Sequence, residues 1–329
     1  TAECVRAVPA LLAHRSGACG REGGRAARSK DAHLVRCIHP RSEVRERRVA
    51  VEEEGEGFGP VVLSVRDLTV SYPVLRGVLV PRVTDTVDAL RNLSFDIREG
   101  EVLGVVGETG SGKTTLIRAC MGLLREVSGS VRLDERELLT LTEYERQELQ
   151  RRMQIVYQNP GSSLDPVHTV ARSVREPLDA SRVGSRSERY RWVSDALGAV
   201  GLDLATAGRR PQSLSGGQQQ RVAVARAIVQ PPRVLVGDEP VAGRDGSVQA
   251  TVINLLRELV RSLRIALVFV SHDLAVIRSV ADTVLLLKEG EMVEMGEADA
   301  FFANPSSEYG RAIVDAARST VVGTGIRRG

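Results

Sequence analysis

A lysine within a glycine-rich run has the most specific chemistry in this sequence. Residues 107–115 read GETGSGKTT, in which the glycines let backbone N–H groups approach an anion ahead of Lys113 and the hydroxyl of Thr114. Such a loop cradles phosphates, because the ammonium bridges terminal phosphates and the hydroxyl coordinates Mg²⁺. The alternative is an ordinary glycine-rich turn before a helix, which the spacing disfavours. The predicted nucleoside triphosphate contacts are Gly107, Gly110, Ser111, Gly112, Lys113, Thr114 and Thr115.

Four further polar residues follow short apolar runs. RVLVGDEP places Asp238 and Glu239 at the end of an apolar strand, where ligands bind in open α/β sheets. One carboxylate can hold Mg²⁺ while the next polarises the attacking water. Gln158 follows RMQIVY and His272 ends ALVFVSH, so an amide could reach the metal or the water and an imidazole could reach a phosphate oxygen. The alternatives are a solvated acidic turn, a surface glutamine and a loop histidine.

A second candidate anion site lies about a hundred residues after the first. Residues 214–221 read LSGGQQQR, which places Ser215, Gly216, Gly217 and Gln218 at the start of a predicted helix, where N–H groups and a positive helix end favour an anion. An ordinary serine cap is the alternative, and it accounts for Ser215 but for neither the glycines nor Gln218. One triphosphate does not need two cradles from one subunit. We therefore expect this segment to close over the nucleotide of another subunit.

Composition limits the classes of function. A net charge of +3 on 329 residues and 3% aromatic residues argue against a nucleic-acid partner. The longest apolar runs are far shorter than the roughly 18 residues of a membrane-spanning helix. The four cysteines are too few for a disulfide framework in a chain of this length, which favours a reducing compartment.

The elements that must position these residues form an α/β pattern. VVLSVRDLTV and SFDIREGEVLGVVG predict strands, the latter ending in the glycine loop, and TTLIRACMGLL has helical spacing. RMQIVYQ, RVLVGDEP, ALVFVSHD and DTVLLLKEG predict buried strands of a mostly parallel sheet with right-handed crossovers. We expect a tail or linker over residues 1–59, a nucleotide-binding domain over 60–302 with a helical insert at about 159–228, and an extension over 303–329.

Across about residues 61–318 the sequence resembles the ATP-binding cassette family, with all motifs in family order. The resemblance implies a P-loop core with an antiparallel β subdomain and a helical signature subdomain. It identifies residues 107–115 as the Walker A loop, 214–218 as the signature, Gln158 as the Q-loop glutamine, Asp238 and Glu239 as Walker B, Asp245 as the D-loop aspartate, His272 as the switch histidine and Tyr72 as the aromatic that stacks on adenine. It implies Mg²⁺ ligands at Thr114, Gln158 and Asp238. A half-buried packing role is the alternative for Tyr72.

Three stretches are similar to the peptide and nickel importer branch of that family. They are PVLRGVLVPRVTDTVDAL, YQNPGSSLDP and FFANPSSEYGRAIVDA. The last departs from the branch pattern, because Ser307 and Glu308 stand where a His-Pro pair is usual. The D-loop VAGRDGSVQA also departs, since Gly243 and Arg244 replace more common residues.

The first forty residues resemble the Cys-rich tail that follows an ATPase domain in the same branch. CVRAVPALL and HLVRCIHP carry Cys4 and Cys37, which the resemblance implies as ligands of a 4Fe–4S cluster. Inert, isolated cysteines are the alternative. Because the tail precedes the domain here, we expect the chain to be the second half of a fused double ATPase.

The expected function is that of an ATPase, with ATP and Mg²⁺, which energises peptide import from the cytoplasmic face of the plasma membrane. The expected partners are a second ATPase domain, two permease subunits and an extracytoplasmic binding protein. Nickel and glutathione import remain alternatives. So do a cassette ATPase acting on DNA or ribosomes, although no sustained heptad pattern is present, and a regulatory cassette without turnover, which Glu239 and His272 disfavour.

Overall fold

The computed structural model describes residues 57–76, 82–124, 126–243 and 245–323 of the chain. The described residues from 58 onward belong to one compact unit by their mutual contacts. The elements below all lie in it. Cys4 and Cys37 lie outside the described residues, and so does Arg244.

Two sheets form the framework. A four-stranded antiparallel sheet has the order β2-β1-β4-β5. Its strands are β1 (Val61–Arg76), β2 (Arg82–Arg98), β4 (Val127–Leu133) and β5 (Arg136–Glu137). A six-stranded sheet has the order β10-β9-β3-β8-β7-β6, in which only β10 runs antiparallel to its neighbour. Its strands are β3 (Val102–Val106), β6 (Met153–Tyr157), β7 (Val234–Asp238), β8 (Ala266–Val270), β9 (Thr283–Lys288) and β10 (Glu291–Glu297).

Ten α-helices are assigned among the described residues. The helix α1 (Lys113–Cys120) follows β3, and α2 (Glu143–Gln150) precedes β6. Four helices lie between β6 and β7: α3 (Pro160–Ser163), α4 (Val170–Ala180), α5 (Arg186–Ala199) and α6 (Gly216–Ile228). Four more helices follow β7: α7 (Gly246–Leu263), α8 (Leu274–Val280), α9 (Ala298–Ala303) and α10 (Glu308–Gly323). The predicted α/β class, with a mostly parallel sheet and an antiparallel subdomain, is confirmed.

The core explains why the central strands read as continuous apolar runs. Successive side chains of a strand point to opposite faces. In β7, Leu235 therefore joins the cluster that includes α6 and α7, while Val234 and Val236 join the cluster between the two sheets. Because both faces are covered, a strand such as β8 is buried along its whole length.

The two strands predicted in SFDIREGEVLGVVG fall in different sheets. β2 pairs with β1, whereas β3 pairs with β8 and β9. The turn between them contains Gly100 at φ +81°, a conformation that glycine adopts without steric cost. This turn directs the chain from the antiparallel sheet into the six-stranded sheet, called the central sheet below, just before the glycine loop.

An ion-pair cluster fastens the two sheets together near this turn. The Arg233 guanidinium lies 2.9 Å from a Glu99 carboxylate oxygen and 3.1 Å from an Asp134 oxygen, and Arg264 contacts Glu99 at 2.8 Å. Glu99 follows β2, Arg233 immediately precedes β7, and Arg264 lies two residues before β8. The cluster thus holds the sheets in register at the end opposite to the glycine loop.

None of the described helices combines the length and the apolar character that crossing a bilayer requires.

Candidate active site

The register of the central sheet brings the predicted site residues to one edge. One row across the sheet contains Val105 of β3, Val270 of β8, Asp238 of β7 and Tyr157 of β6. The next predicted site residues beyond this row, within two positions of it, are Gly107, His272, Glu239 and Gln158. Because β3, β8, β7 and β6 are parallel neighbours, their carboxyl ends meet here, which is where open α/β sheets bind ligands.

Two glycines of the loop have no room for a side chain. A Cβ at Gly107 would lie 2.3 Å from the Leu287 carbonyl oxygen, and a Cβ at Gly112 would lie 2.8 Å from a methyl carbon of Leu90. Gly112 also adopts φ +105°. The backbone of the loop therefore packs directly against the neighbouring strands, and its conformation requires glycine.

Lys113 is held by the loop that it serves. Its Nζ donates to the carbonyl oxygens of Gly107 and Glu108, both at 2.7 Å, and lies 3.4 Å from the Ser111 hydroxyl. Burial lowers the pKa of Lys113, while the nearby Glu239 and Asp238 carboxylates oppose that shift. The ammonium thus stands in the centre of the loop, with its three N–H donors directed at loop oxygens.

A cleft of about 540 Å³ opens in front of this loop; we call it the nucleotide cleft. Its lining includes Thr109, Gly110, Gly112, Lys113, Thr114, Thr115 and Glu239. The Gly112 N-cap offers no side chain to the first N–H groups of α1, so they remain available to an anion. Loop, helix start and lysine together fit a triphosphate.

The sequence did not reveal the opposite wall of the nucleotide cleft. It consists of Val87, Asp88, Ala89 and Arg91 from β2 and of Glu289 and Gly290 from the turn between β9 and β10. Val87, Asp88 and Ala89 lie in the stretch of residues 73–90 that is similar to the importer branch, but that similarity indicated no contact with a nucleotide. Val87 pairs with the predicted adenine-stacking residue Tyr72 across β1 and β2, and this pairing would have indicated the wall. It cannot be read from the sequence, because it depends on the register of the two strands.

Glu239 and His272 form a hydrogen-bonded pair. His272 Nδ1 lies 2.9 Å from Glu239 Oε1. Glu239 has φ +50°, an uncommon conformation for a non-glycine residue, and its backbone N–H donates to the Val270 carbonyl. Its carboxylate therefore faces the nucleotide cleft in an orientation that the histidine fixes, as a proton acceptor for a water requires.

The predicted magnesium ligands Thr114, Gln158 and Asp238 all carry oxygen donors of the kind that Mg²⁺ takes. Burial raises the pKa of Asp238, and the adjacent Glu239 carboxylate raises it further, so a nearby cation would stabilise its charged form. Within the described part of the chain there is no group of three or more His, Cys, Asp or Glu side chains that could hold a metal. This donor set suits Mg²⁺, which takes one or two protein oxygens together with substrate phosphates.

Several predicted residues do not line the nucleotide cleft: Gly107, Ser111, Asp238 and His272, which are described above, and Tyr72, Gln158 and Asp245. Tyr72 is 40% exposed in β1, opposite the cleft residue Val87, which is a suitable position for stacking on a base. Gln158 is exposed after β6. Asp245 is the N-cap of α7 but makes no side-chain cap hydrogen bond, so its carboxylate is not committed to that helix.

The segment LSGGQQQR is a helix cap in this chain, and it corrects one sequence interpretation. Ser215 Oγ accepts a hydrogen bond from the Gln218 N–H at 3.3 Å, and Gln218 Oε1 accepts one from the Ser215 N–H at 3.1 Å. This capping box explains the presence of Gln218, so Gln218 is no longer evidence against the alternative that the segment is an ordinary serine cap. It does not account for Gly217, which has no positive φ and whose added Cβ would meet only a Val248 methyl carbon at 3.5 Å.

A groove of about 310 Å³ lies beside this cap; we call it the signature groove. Its lining residues are Ser215, Gly217, Gln218, Arg221, Ser247, Val248, Thr251 and Val252. None of them lines the nucleotide cleft. The chain therefore does not bring the signature segment to its own phosphate loop.

Comparison with known proteins identifies the family. The family model described as ABC transporter matches residues 90–242. The chain is 42% identical over 255 residues to the di/tripeptide transport ATP-binding protein DppF of Pseudomonas aeruginosa, an alignment that covers 78% of each protein. It is 38% identical to the oligopeptide transport ATP-binding protein OppD of Mycobacterium bovis over 86% of the chain but 47% of that relative. It is 40% identical to the glutathione import ATP-binding protein GsiA of Salmonella choleraesuis over 81% of the chain and 42% of that relative.

Solved structures agree in fold. A dimeric post-hydrolysis structure of the ATP-binding cassette MJ0796, bound to ADP and Pi, superposes with a TM-score of 0.61 at 28% identity, covering 72% of this chain and 98% of that one. The protein cbiO1 of Clostridium perfringens, part of the transporter complex cbiONQ, gives a TM-score of 0.66 at 28% identity over 74% of this chain and 92% of that one. On the sequence relatives, the fold and the phosphate loop together, the chain belongs to the ATP-binding proteins of the ABC transporter family.

Proposed function

We propose that this chain is the ATP-hydrolysing subunit of a peptide importer, docked on the cytoplasmic face of the membrane. The observation that carries the proposal is the hydrogen bond of 2.9 Å between His272 and Glu239, because Glu239 lines the nucleotide cleft together with Lys113. Turnover needs a proton acceptor that faces the terminal phosphate, which a purely regulatory cassette does not require. The names of the relatives favour peptides over other cargo.

The predicted site residues in and around the nucleotide cleft have the following roles in this proposal. Lys113 and the first N–H groups of α1 bind the phosphates, and Tyr72 stacks on the adenine. Glu239 orients and deprotonates the attacking water, while His272 fixes the Glu239 carboxylate and donates to the phosphoryl group. Thr114, Asp238 and Gln158 would hold Mg²⁺, which would supply charge neutralisation when bound.

The signature groove serves the nucleotide of a second ATPase domain, either in the same full-length protein or in a separate subunit. The absence of shared lining residues between this groove and the nucleotide cleft, together with the uncommitted space in front of Gly217, supports that assignment. The carboxylate of Asp245, which makes no side-chain cap hydrogen bond to α7, fits a role at the same contact. The cassette MJ0796 forms a dimer in its post-hydrolysis state with ADP and Pi, which agrees with such a pairing.

Reconstitution tests this function and separates it from its alternatives. The chain is expressed with the permease and binding-protein subunits that purify with it, placed in proteoliposomes and supplied with ATP. We expect uptake of labelled di- or tripeptide that Glu239→Gln abolishes. Uptake of glutathione or nickel without peptide uptake would move the chain to another cargo. Purification without any membrane subunit, but with DNA or ribosomes, would contradict a transport function.

The cluster prediction for Cys4 and Cys37 is supported by the sequence resemblance alone, because both cysteines lie outside the described residues. Its test is independent of transport. Anaerobically prepared full-length protein should be brown and contain iron, and Cys37→Ser should bleach it. Colourless, iron-free protein would end this part of the proposal.

A further inference from the structure

The C-terminal extension reaches the phosphate loop through Tyr309. Its hydroxyl is fully buried and has no well-formed hydrogen bond. The Tyr309 hydroxyl lies beside the side chain and the backbone of Glu108, the residue after the first glycine of the loop. Burial raises the pKa of Tyr309, and the Glu108 carboxylate raises it further. A buried hydroxyl whose hydrogen bond is not well formed is unusual in a folded protein, so its position next to Glu108 points to a role in holding the loop.

The ring of Tyr309 is fixed at the same place from the other side. Lys288 Nζ lies 4.6 Å from the ring centroid, a cation–π contact. Lys288 ends β9, which pairs with β3 so that Leu286 lies opposite Val106. Lys288 lies two residues after Leu286, and Glu108 lies two residues after Val106, so both residues leave the sheet at the same end. Tyr309 therefore sits over the point where the loop leaves the sheet.

The extension is anchored firmly enough to support a contact of this kind. Ser307 caps α10 by accepting a hydrogen bond from the Gly310 N–H at 2.9 Å. Glu294 of β10 accepts hydrogen bonds from the backbone N–H groups of Ser306 and Ser307, at 2.7 and 2.9 Å. Ser307, which departs from the branch pattern in the sequence, is thus the residue that fixes the start of the helix carrying Tyr309.

The loop needs an anchor other than Lys113. The ammonium has three donors, and all three point at oxygens of the loop, including the Glu108 carbonyl. Binding a phosphate must therefore weaken at least one of these contacts. One replacement anchor is the Gly290 N–H, which donates to the Ser111 carbonyl at 3.0 Å. The neighbourhood of Tyr309 supplies a second, at Glu108.

We propose that Tyr309 is a positioning residue for the phosphate loop, acting on Glu108, and that the C-terminal extension thereby raises nucleotide affinity. The inference rests on the proposed function only in that residues 107–115 bind the nucleotide. The Tyr309 hydroxyl donates to the Glu108 carboxylate and holds the loop open while Lys113 turns to the phosphate. It touches no reacting atom, so it acts on binding rather than on the chemical step.

The test uses Tyr309→Phe, which keeps the ring over Lys288 and removes only the hydroxyl. We expect ATP affinity of the full chain to fall about 3- to 10-fold, the range of one net hydrogen bond. In the assembled complex the KM for ATP should rise by a similar factor with kcat unchanged. Tyr144→Phe is the matched control, because that ring is 81% exposed on α2. It should change neither quantity.

A double-variant cycle tests the route through Glu108. In a Glu108→Ala background, Tyr309→Phe should lose most of its effect on ATP affinity. A full effect in that background would overturn the route, and wild-type affinity for Tyr309→Phe would overturn the inference. A lower melting temperature with unchanged KM would also overturn it, since that result belongs to a merely structural contact. Lys113→Met is measured in parallel: if it too leaves affinity unchanged, the failure lies in the assignment of the loop itself.

Discussion

The nucleotide cleft and the signature groove lie on one chain, but the surrounding structure supports them in different ways. In the nucleotide cleft, glycines without room for a Cβ, a lysine whose donors all face the loop and a Glu239–His272 hydrogen bond fix the geometry in advance. In the signature groove the capping box satisfies Ser215 and Gln218 by each other, and the surface in front of Gly217 is unfilled.

This difference indicates a division of labour. A site that is preorganised before its ligand arrives loses little ordering entropy on binding and can hold catalytic groups in place. A satisfied helix cap with open space is stable alone and still presents N–H groups to an anion. On the proposed function, the nucleotide cleft is thus where this chain binds and hydrolyses ATP, and the signature groove is half of a site that another subunit completes.

Glu239→Gln should have the largest effect, and it tests whether the nucleotide cleft performs the chemistry. The amide keeps the shape of the side chain but cannot accept a proton, so turnover should fall by roughly 10²- to 10⁴-fold while ATP affinity is retained. Steady-state hydrolysis and nucleotide titration on the assembled complex measure both. Glu148→Gln, on α2 outside the cleft lining, is the control. Undiminished turnover would remove Glu239 from its role.

Lys113→Met should have the next largest effect, and it acts on binding. It retains an apolar stem but removes a charge-assisted contact that contributes about 1.5–3 kcal/mol, so ATP affinity should fall roughly 10- to 150-fold. Equilibrium titration with a fluorescent nucleotide measures the loss. Equal affinity for the variant and the wild type would mean that the loop geometry is not what binds phosphate.

Arg233→Met tests how much the ion-pair cluster between the two sheets stabilises the fold that carries the nucleotide cleft. It leaves Glu99 and Asp134 without this partner and should lower the free energy of unfolding by about 1–3 kcal/mol. Burial of Glu99 opposes its ionisation, but hydrogen bonds from Arg233 and Arg264 outweigh burial and hold its pKa below the ordinary 4.5. The contribution is therefore present above that value and is lost as pH falls through the lowered pKa.

Urea unfolding at several pH values measures this effect. The stability difference between the wild type and Arg233→Met should be full at neutral pH and should shrink under acid conditions below the ordinary glutamate value. Arg151→Met, an exposed arginine beside β6, is the control and should change little. A stability difference that does not change with pH would show that the ion-pair cluster stabilises the fold through packing rather than through charge.

Ser215→Ala should have the smallest effect, and it tests the cap by itself. Loss of the serine hydroxyl from the capping box should cost about 1 kcal/mol of stability. Thermal unfolding measures this cost. Because backbone N–H groups remain at the helix start, folded protein should keep its own ATP affinity. A loss of that affinity would mean that the signature groove serves the same chain.

The phosphate loop and the strands β3, β6, β7, β8 and β9 could be predicted from the sequence because their signals are local. Spacing specifies Lys113 relative to its glycines, and apolar runs mark strands that are buried on both faces. The opposite wall of the nucleotide cleft could not be predicted, since Asp88 and Gly290 meet the loop only through strand register and a turn far along the chain. The left-handed backbone of Glu239 leaves no trace in composition.

The role of Gln218 shows a different limit. From the sequence alone, a glutamine after two glycines indicated a ligand contact rather than a cap. The capping box depends on a side chain that turns back to its own helix, which a pattern three residues apart suggests but does not distinguish from a site. Only the glycines, whose backbone does not require them, still point to a close approach from outside.

The most direct test of the divided site is Ser215→Arg in the assembled complex, with nucleotide affinity and turnover measured on the same preparation. The new guanidinium would occupy the signature groove, where the γ-phosphate of the partner's nucleotide should dock. We predict that ATP affinity at the nucleotide cleft of this chain stays at the wild-type value, while turnover at the composite site falls to background. Normal turnover with Ser215→Arg at both composite sites, or a loss of affinity at this chain's own cleft, would contradict a site shared between subunits.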